Sequence, residues 1–362
     1  MVDIDEMNVA VVDAFCGAGG LSYGFIKEKF EVMAGIDIDA SCKFPYETNT
    51  RAVFINKPIE QITSTDVEKY FAGADIRILV GCAPCQPFSS YSKKKGRDEK
   101  WKLLYSFSDL ISSTKPDIVS MENVPQLASH KVFKDFVESL DKNGYCISWY
   151  IVYCPDYGIP QTRRRLVLFA SKFGKINIIE KTHPRDNYKN VRSVIGNLEP
   201  IGDGEISQND PLHRARKLSD KNKKRIMATP SGGSWKDWPN ELKLGCHKRK
   251  TGKSFKSVYG RMKWNEPAPT ITTQCAGLGN GRFGHPEQHR AISLREAALI
   301  QTFPMGYKFI DPESKFSSKT IANHIGNAVP VRLGQVIARS IKKHIKNIYG
   351  ISQDAALLCA RQ

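Results

Sequence analysis

The sequence predicts an α/β protein with a doubly wound, mostly parallel sheet. Short apolar segments alternate with helical stretches through the first half of the 362 residues, which is the pattern of strands joined by crossover helices. Glycines follow the first apolar segment, and acidic residues follow the second. In sheets of this kind, ligands bind at the carboxyl ends of the strands. We therefore expect the functional residues in the turns that follow the strands.

The individual elements follow from the apolar runs and from the turn residues between them. We predict strands at 9–13, 32–37, 77–81, 117–122, 145–152 and 165–170. We predict helices at 19–29, 39–49, 102–112, 131–141, 293–301 and 331–349. Ser293 and Glu296 have the spacing of a capping box at a helix start. From about residue 181 the chain is rich in Gly, Pro, Asn and Lys, so we expect a domain at 1–180, an irregular one at 181–290, and a segment at 291–362 that returns to the first.

The charge of the chain points to a polyanionic partner. The formal net charge is +17, and the stretch from Lys181 to Arg290 holds 22 Lys and Arg against 10 Asp and Glu. Basic runs at 214–225 and 247–256 are interleaved with aromatic residues, which favours a phosphate-binding face whose side chains reach bases. The aromatic residues are Trp235, Trp238, Phe255, Tyr259 and Trp264.

Composition also argues against several classes of protein. No apolar run approaches the roughly 20 residues that span a bilayer, and the N-terminus MVDIDEMN lacks the features of a signal peptide. The nine scattered cysteines do not suggest a disulfide framework. We therefore expect an intracellular protein.

A glycine turn follows the first predicted strand. The segment VVDAFCGAGGLSYGF (11–25) places backbone N–H groups at a helix N-terminus, and GIDID (35–39) ends the second strand with acids that can bind ribose hydroxyls. A dinucleotide or S-adenosylmethionine would fit this arrangement. The dinucleotide fingerprint is G-x-G-x-x-G, whereas this turn reads G-x-G-G, which favours S-adenosylmethionine.

Two cysteines lie in the segment ILVGCAPCQPFSSYS (78–92). A zinc site would need two further ligands at similar spacing, and the chain has no second C-x-x-C and no nearby His pair. A redox pair should lead into a helix, whereas Gln86 and Pro87 lead into a polar loop. The remaining interpretation is a single reactive thiol presented by a loop at a strand end. No metal site is predicted.

Three further segments carry residues suited to chemistry. SMENVPQL (120–127) places Glu122 at a strand end, and YGIPQTRRRLVLF (157–169) places Arg163 and Arg165 on one side of an extended segment. HIGNAVPVRLGQ (324–335) is predicted to form a glycine turn and a helix start. Each segment alone also fits a structural role, as a strand-end acid, a solvated basic loop or a helix cap.

Together these segments resemble the bacterial restriction–modification type of DNA (cytosine-5)-methyltransferase over nearly the whole chain. The resemblance rests on DAFCGAGGLS, GCAPCQPFS, MENV, QTRRR, ISLREAALIQTFP and HIGNAVP, in the order of that family. It implies a class I S-adenosylmethionine-dependent methyltransferase fold, with 1–180 binding the cofactor and 181–290 recognising the DNA target. It also implies methyl transfer from S-adenosylmethionine to C5 of a flipped-out cytosine in a specific duplex sequence.

The resemblance assigns four catalytic residues. Cys85 matches the nucleophile that adds to cytosine C6, and Glu122 matches the acid at the N3 edge. Arg165 is similar to the residue that holds the flipped base and the flanking backbone, and Arg163 is expected to support Glu122 or a phosphate. The segment at 89–103 resembles the loop that closes over the DNA.

The resemblance also implies a cofactor pocket. The matching positions are Phe15, Gly17, Gly19, Gly20, Leu21, Asp37, Ile38, Ile59, Leu104, Asn327 and Val329. Asp37 would take the ribose and Ile38 would lie against the adenine. The chain departs from the family at Ile38, where an aromatic residue is common, and at Pro58, where an Asp usually reads the adenine amino group. Both departures predict a looser adenine site.

The expected partners are double-stranded DNA and a cognate restriction endonuclease that acts on the same site without a stable complex. We expect a cytoplasmic, nucleoid-associated monomer with no membrane contact. Three alternatives stay open at this point: a transfer-RNA cytosine-5 methyltransferase, a catalytically silent DNA-binding paralogue, and a nicotinamide-dependent oxidoreductase. The last rests only on the glycine turn.

Overall fold

The computed structural model describes residues 7–84, 101–249 and 257–359, with side chains described up to residue 350. The chain forms two compact units. The first unit comprises Met1–Tyr153, Arg164–Lys181 and Val331–Gln362, and the second comprises Cys154–Arg163 and Thr182–Pro330. Residues 291–330, which the sequence analysis assigns to the returning segment, therefore cluster with the second unit.

The first unit is built on a seven-stranded sheet in the order β3-β2-β1-β4-β5-β7-β6. The strands are β1 (Val9–Ala14), β2 (Glu31–Asp37), β3 (Val53–Asn56), β4 (Ile76–Gly81), β5 (Ile118–Asn123), β6 (Cys146–Tyr153) and β7 (Arg164–Ser171). The pairs among β1 to β5 are parallel, and β7 runs antiparallel to both of its neighbours. β1, β4 and β5 are mainly apolar and buried along their length, as expected for strands with helices on both faces.

Helices cover both faces of this sheet. The helices of the first unit are α1 (Gly20–Lys27), α2 (Lys43–Thr50), α3 (Ser64–Glu68), α4 (Lys102–Thr114), α5 (Lys131–Lys142) and α11 (Val331–Cys359). Side chains of α3, α4 and α5 share one hydrophobic core with alternate residues of the strands, among them Leu79 and Leu166. On the other face, the Ser22 hydroxyl in α1 donates to Asp13, and His344 in α11 bonds with Ser171.

Close backbone contact joins α1 to α11. A Cβ atom added at Gly24 would lie 2.6 Å from Cα of Gly334, and one added at Gly334 would lie 2.9 Å from the Leu21 carbonyl oxygen. Real side chains do not tolerate such distances, so both crossing positions require glycine. The contact ties the first helix of the chain to the last.

The second unit contains short helices and isolated β-bridges. Its described residues form no β-strand beyond these bridges. Its helices are α6 (Val191–Ile195), α7 (Asp220–Met227), α8 (Gly245–Lys248), α9 (Leu294–Ile300) and α10 (Ser318–Asn327). Buried hydrogen-bonded side chains, described below, hold these pieces together. No helix in the described part of the chain is long and apolar enough to span a membrane.

The α/β fold class and the six predicted strands are confirmed. The sequence analysis missed β3, which has only four residues, and the helices α3, α6, α7, α8 and α10. The glycine turn predicted in HIGNAVP is wrong, because Gly326 lies inside α10. The capping box at Ser293 and Glu296 is present at the start of α9.

Candidate active site

The carboxyl ends of three neighbouring strands bring the predicted functional segments to one edge of the sheet. Ala14 of β1 pairs with Gly81 of β4, and Gly81 pairs with Met121 of β5. The residues that follow these three positions are the glycine turn, the loop that begins at Cys82, and Glu122. This edge is the usual ligand-binding edge of a parallel sheet.

Glu122 is buried between a cation and a thiol. Its side chain is 2% exposed, and Arg165 Nε lies 2.8 Å from Oε1. The Arg165 N–H is not aligned with that oxygen, so this contact is an ion pair rather than a directed hydrogen bond. On the other side, the Cys82 thiol donates to Oε2 at 2.9 Å. The cation and the thiol together hold one carboxylate at the end of β5.

The loop after β4 is fixed to both neighbouring strands. The Cys82 amide donates to the Ala14 carbonyl at 3.2 Å, and the Asn123 side-chain amide donates to the Ala83 carbonyl at 3.0 Å. Cys85, the predicted nucleophile, and the predicted closing loop up to residue 100 lie outside the described residues. Hydrogen bonds therefore fix the backbone at Cys82 and Ala83, directly before the segment that contains Cys85.

Several other thiols are poor candidates for a nucleophile. Burial raises the pKa of Cys16, and neighbouring Asp13 and Asp37 add to the effect. Burial also raises the pKa of Cys42, and that of Cys275 to about 12. Because the thiolate is the reactive form, these three groups stay protonated and inert near neutral pH.

The glycine turn and the acid after β2 are joined by backbone hydrogen bonds. Gly17 and Gly19 have positive φ angles of 51° and 88°, which place the turn directly before α1. The Gly17 amide donates to Asp37 Oδ2 at 2.8 Å, and the Asp39 amide donates to Oδ1 at 2.9 Å. Burial raises the pKa of Asp37, and the two backbone bonds oppose that rise.

Asn56, at the end of β3, holds the same segment from the other side. Its side-chain amide donates to the carbonyl oxygens of Asp37 and Ile38, each at 3.0 Å. Ile38, beside these two hydrogen bonds, is 71% exposed. An exposed apolar side chain beside a fixed carboxylate suits a ligand with one flat apolar part and one hydroxylated part.

Other predicted cofactor residues are more buried. Phe15 has a positive φ of 60° and packs edge-on against Phe107, with ring centroids 6.0 Å apart. Leu21, Ile59 and Leu104 are 3–5% exposed and belong to the hydrophobic interior. Asn327 ends α10 and Val329 follows it, both in the second unit.

Asp13 is a buried acid below the glycine turn. Ser22 Oγ donates to its Oδ2 at 2.6 Å and lies 3.0 Å from the Tyr46 hydroxyl. Oδ1 has no hydrogen-bond partner among the described residues. Burial raises the pKa of Asp13 to about 7 in spite of the Ser22 bond.

In the second unit, buried amides connect the remaining motifs. Gln161 donates to the Ile300 carbonyl and to the Gln301 side chain, and its own oxygen accepts from the Ile271 amide. Gln301 donates to the carbonyls of Ile325 and Ala328, next to Asn327. Two glutamine side chains thus connect three of the motif segments with one another and with the backbone at Ile271.

Arg163 and Arg165 have different surroundings. Arg163 is buried in the second unit and donates to the Ile271 carbonyl at 3.1 Å. The guanidinium paired with Glu122 belongs to Arg165, for which the sequence analysis expected contact with the flipped base.

The prediction that Trp235 and Trp238 reach bases is wrong. They are 5% and 2% exposed, because they pack with His247, Tyr259 and Arg225 in an aromatic cluster. Phe255 lies outside the described residues. Arg225, Arg261 and Arg290 are likewise buried, and each donates to backbone carbonyls. Part of the positive charge of 181–290 therefore stabilises the fold.

Sequence reasoning missed Cys82, Asn56, Gln161 and Gln301 as residues that shape the site. The sequence analysis predicts a single reactive thiol in C-x-x-C and gives Cys82 no role, although a thiol directly after a buried strand is a possible hydrogen-bond donor. Asn56 was missed with β3. The glutamines belong to the segments QTRRR and ISLREAALIQTFP, so their place in these motifs could have indicated a role.

Comparison with known proteins identifies the family of this chain. Residues 9–343 match the model of the C-5 cytosine-specific DNA methylase family. A type II methylase of Herpetosiphon aurantiacus, M.HgiDII, is 53% identical over 94% of this chain and 97% of its own length. The chain belongs to the C-5 cytosine-specific DNA methylase family. It is therefore a DNA (cytosine-5)-methyltransferase, as the motifs predicted.

Two further proteins are similar over most of their length. The type II methyltransferase M1.BsuMI of Bacillus subtilis is 30% identical over 93% of this chain and 81% of its own. A solved structure from E. coli, described as a DNA modification methyltransferase encoded within a prophage, superimposes with a TM-score of 0.71 at 20% identity. That match covers 92% of this chain and 99% of the other. It confirms the methyltransferase type of α/β fold.

Proposed function

We propose that this chain transfers a methyl group from S-adenosylmethionine to C5 of a flipped-out cytosine in a specific duplex DNA sequence, through a covalent bond between Cys85 and C6. The observation that carries the proposal is the buried Glu122 carboxylate, held between Arg165 and Cys82. Glu122 lies near the end of β5, and the loop that continues to Cys85 follows the neighbouring strand β4.

The residues of the site suit the chemistry of cytosine. C5 is a poor nucleophile, and addition of a thiolate to C6 converts the ring into an enamine whose C5 is reactive. Glu122, acting as an acid, would donate its proton to N3 and so neutralise the negative charge that develops on the ring as sulfur attacks C6. Arg165 would keep Glu122 in place, and loss of the C5 proton would later release Cys85. The target base must leave the stack first, at a cost of a few kcal/mol.

The end of the sheet fits S-adenosylmethionine, which would supply the electrophilic methyl group. A Cβ at Gly17 would meet nothing within 4 Å, so the turn leaves open space against its backbone. Asp37 would bind the ribose hydroxyls and Ile38 would cover the adenine. Gly19, Gly20, Phe15 and Leu21 would form the floor, and Ile59, Leu104, Asn327 and Val329 are the further proposed contacts.

We propose that 181–290 reads the DNA target and that 1–180 and 291–362 form the catalytic part. Exposed basic residues on and before α7 support this, since phosphate contacts supply most non-specific DNA affinity. Both curated relatives above are type II methylases by name, which supports a cognate restriction endonuclease that acts separately on the same site. We also propose a cytoplasmic, nucleoid-associated monomer. Light scattering should give a mass near 40.6 kDa.

The nucleophile is tested by Cys85→Ser. An alcohol is scarcely ionised at neutral pH, so methylation should fall below detection while DNA and cofactor binding persist. Bisulfite sequencing of DNA from expressing cells first identifies the target. A duplex with 5-fluorocytosine at that position should then form a covalent adduct with the wild-type protein but not with Cys85→Ser.

Cys146→Ser is the matched control, because Cys146 is exposed at the start of β6. It should methylate and form adduct as the wild type does. Methylation that persists in Cys85→Ser, or labelled methyl groups that appear in transfer RNA and not in plasmid DNA, would contradict the proposal.

A further inference from the structure

We propose that Cys82 is a positioning residue that orients Glu122 for its bond to the cytosine ring. The proposal rests on the function assigned to Glu122 above and adds a residue to it. The contact that carries it is the hydrogen bond from the Cys82 thiol to Glu122 Oε2 at 2.9 Å.

The two contacts of Glu122 do different work. Arg165 Nε lies 2.8 Å from Oε1, but its N–H is not directed at that oxygen, so the pair supplies attraction with little control of angle. Among the described residues, the Cys82 thiol is the directed donor to this carboxylate. A carboxylate held at both oxygens cannot rotate about its last side-chain bond.

The Cys82 side chain is itself held in place. Its backbone amide donates to Ala14 of β1, and the next residue, Ala83, accepts from Asn123 of β5. The thiol therefore stands on a short segment fixed between two strands, and Asn123 directly follows Glu122. The position of the donor relative to the acceptor is set by the sheet rather than by a free loop.

The chemical nature of the donor also matters. A thiol is neutral and a weak hydrogen-bond donor, so it orients Glu122 without adding a second cation beside Arg165. Oε2 keeps lone-pair capacity to accept a hydrogen bond from the N4 amino group of the base, which lies beside N3. Without the thiol, the carboxylate is free to turn toward a linear bond with Arg165 and away from the base.

The expected effect falls on turnover rather than on binding. Orientation of an acid matters mainly in the transition state, whereas DNA affinity depends largely on phosphate contacts. Cys82→Ala should lower kcat about tenfold, equivalent to about 1.4 kcal/mol, with the KM values for DNA and S-adenosylmethionine within about twofold. Cys82→Ser keeps a donor and should retain about half of kcat or more.

Two further variants separate orientation from packing. Cys82→Val replaces the volume of the thiol without a donor and should be as slow as Cys82→Ala. If Cys82 acts through Glu122, Cys82→Ala should have no additional effect in a Glu122→Gln background, because residues that act through one another are non-additive. Thermal unfolding of each variant verifies that it is folded, and Cys146→Ala serves as the control.

The outcomes distinguish this inference from the proposed function. Wild-type protein that methylates DNA without forming the 5-fluorocytosine adduct would contradict the covalent route. Wild-type kcat in folded Cys82→Ala, activity restored by Cys82→Val, or additive effects with Glu122→Gln would each overturn the role of Cys82. The slow Ala and Val variants, the active Ser variant and the non-additive double variant together would establish it.

Discussion

At the scale of single residues, the site is shaped by groups that neutralise or orient one another. Glu122 is buried beside a cation and a thiol, and Asp37 accepts two backbone amides. Asp13 differs, since burial outweighs its bond from Ser22 and raises its pKa to about 7. The sequence could show that acids follow strands, but it could not show which of them are buried or which neighbour faces them.

Asp13 should make the stability of the protein depend on pH. Its pKa is raised above the usual value of 3.8, so the folded chain holds a proton there between about pH 4 and pH 7 that the unfolded chain has lost. Its contribution to the free energy of unfolding therefore falls as pH rises through this range and is constant above it. Between pH 5 and pH 8 the free energy of unfolding should fall by about 3 kcal/mol. The decrease occurs between pH 5 and about pH 7, at about 1.4 kcal/mol per pH unit.

Asp13→Asn removes this titration. Urea unfolding gives the free energy of unfolding at pH 5 and at pH 8. The decrease between these two pH values should be about 3 kcal/mol smaller in the variant than in the wild type. Asp109→Asn, at an exposed position of α4, is the control and should leave the dependence unchanged. Equal pH dependence in Asp13→Asn and the wild type would show that Asp13 is ionised throughout.

At the scale of elements, motif segments are joined by close backbone packing that the sequence only partly reveals. The strand-end positions of Cys82 and Glu122 could be predicted, because apolar runs define β4 and β5. Gly326 was read as a turn, since glycine usually marks one. Inside α10 it serves another purpose: a Cβ there would lie 2.2 Å from the carbonyl carbon of Thr272. Close packing between two backbone segments that are far apart in the chain leaves no recognisable pattern in the local sequence.

Gly326→Ala should therefore destabilise the second unit. The added methyl group would overlap the backbone of Thr272 and Thr273, and overpacking of this kind typically costs about 1–3 kcal/mol. The prediction is a lower melting temperature in differential scanning calorimetry. Asn327, a proposed cofactor residue, is the next residue, so affinity for S-adenosylmethionine should fall as well.

Gly350→Ala is the matched control, because Gly350 also lies in a helix but a Cβ there meets nothing within 4 Å. Alanine in an open helical position favours the helix by about 0.5–1 kcal/mol, so this variant should unfold at the same or a higher temperature. The same melting temperature for Gly326→Ala and Gly350→Ala would contradict the packing argument.

At the scale of the whole molecule, the charge excess is divided between folding and binding. The region 181–290 has an excess of basic residues, but Arg225, Arg261 and Arg290 are buried against carbonyls or Glu296. Lys221, Lys223 and Lys224 are exposed along α7. Composition alone cannot separate these groups, because burial depends on contacts between residues far apart in the sequence.

Replacing Lys221, Lys223 and Lys224 with glutamine should weaken DNA binding and its dependence on salt. Removing one lysine–phosphate pair lowers the slope of log affinity against log salt concentration by about 0.9, so removing three lowers it by about 2.7. Fluorescence anisotropy at several salt concentrations measures the slope. Replacement of Lys131, Lys134 and Lys142 of α5, which removes the same charge, should leave the slope nearly unchanged, and equal slopes in both triple variants would place the DNA-binding face elsewhere.

The glycine contact between α1 and α11 has a consequence for synthesis of the chain on the ribosome. The face of α1 that receives α11 is made within the first 27 residues, and its partner begins at Val331. At about 5–20 residues per second, translation of the intervening stretch takes roughly 15–60 s. Throughout that time the nascent sheet lacks one of its covering helices, so a translational pause before codon 331 prolongs exposure of apolar surface to chaperones and proteases.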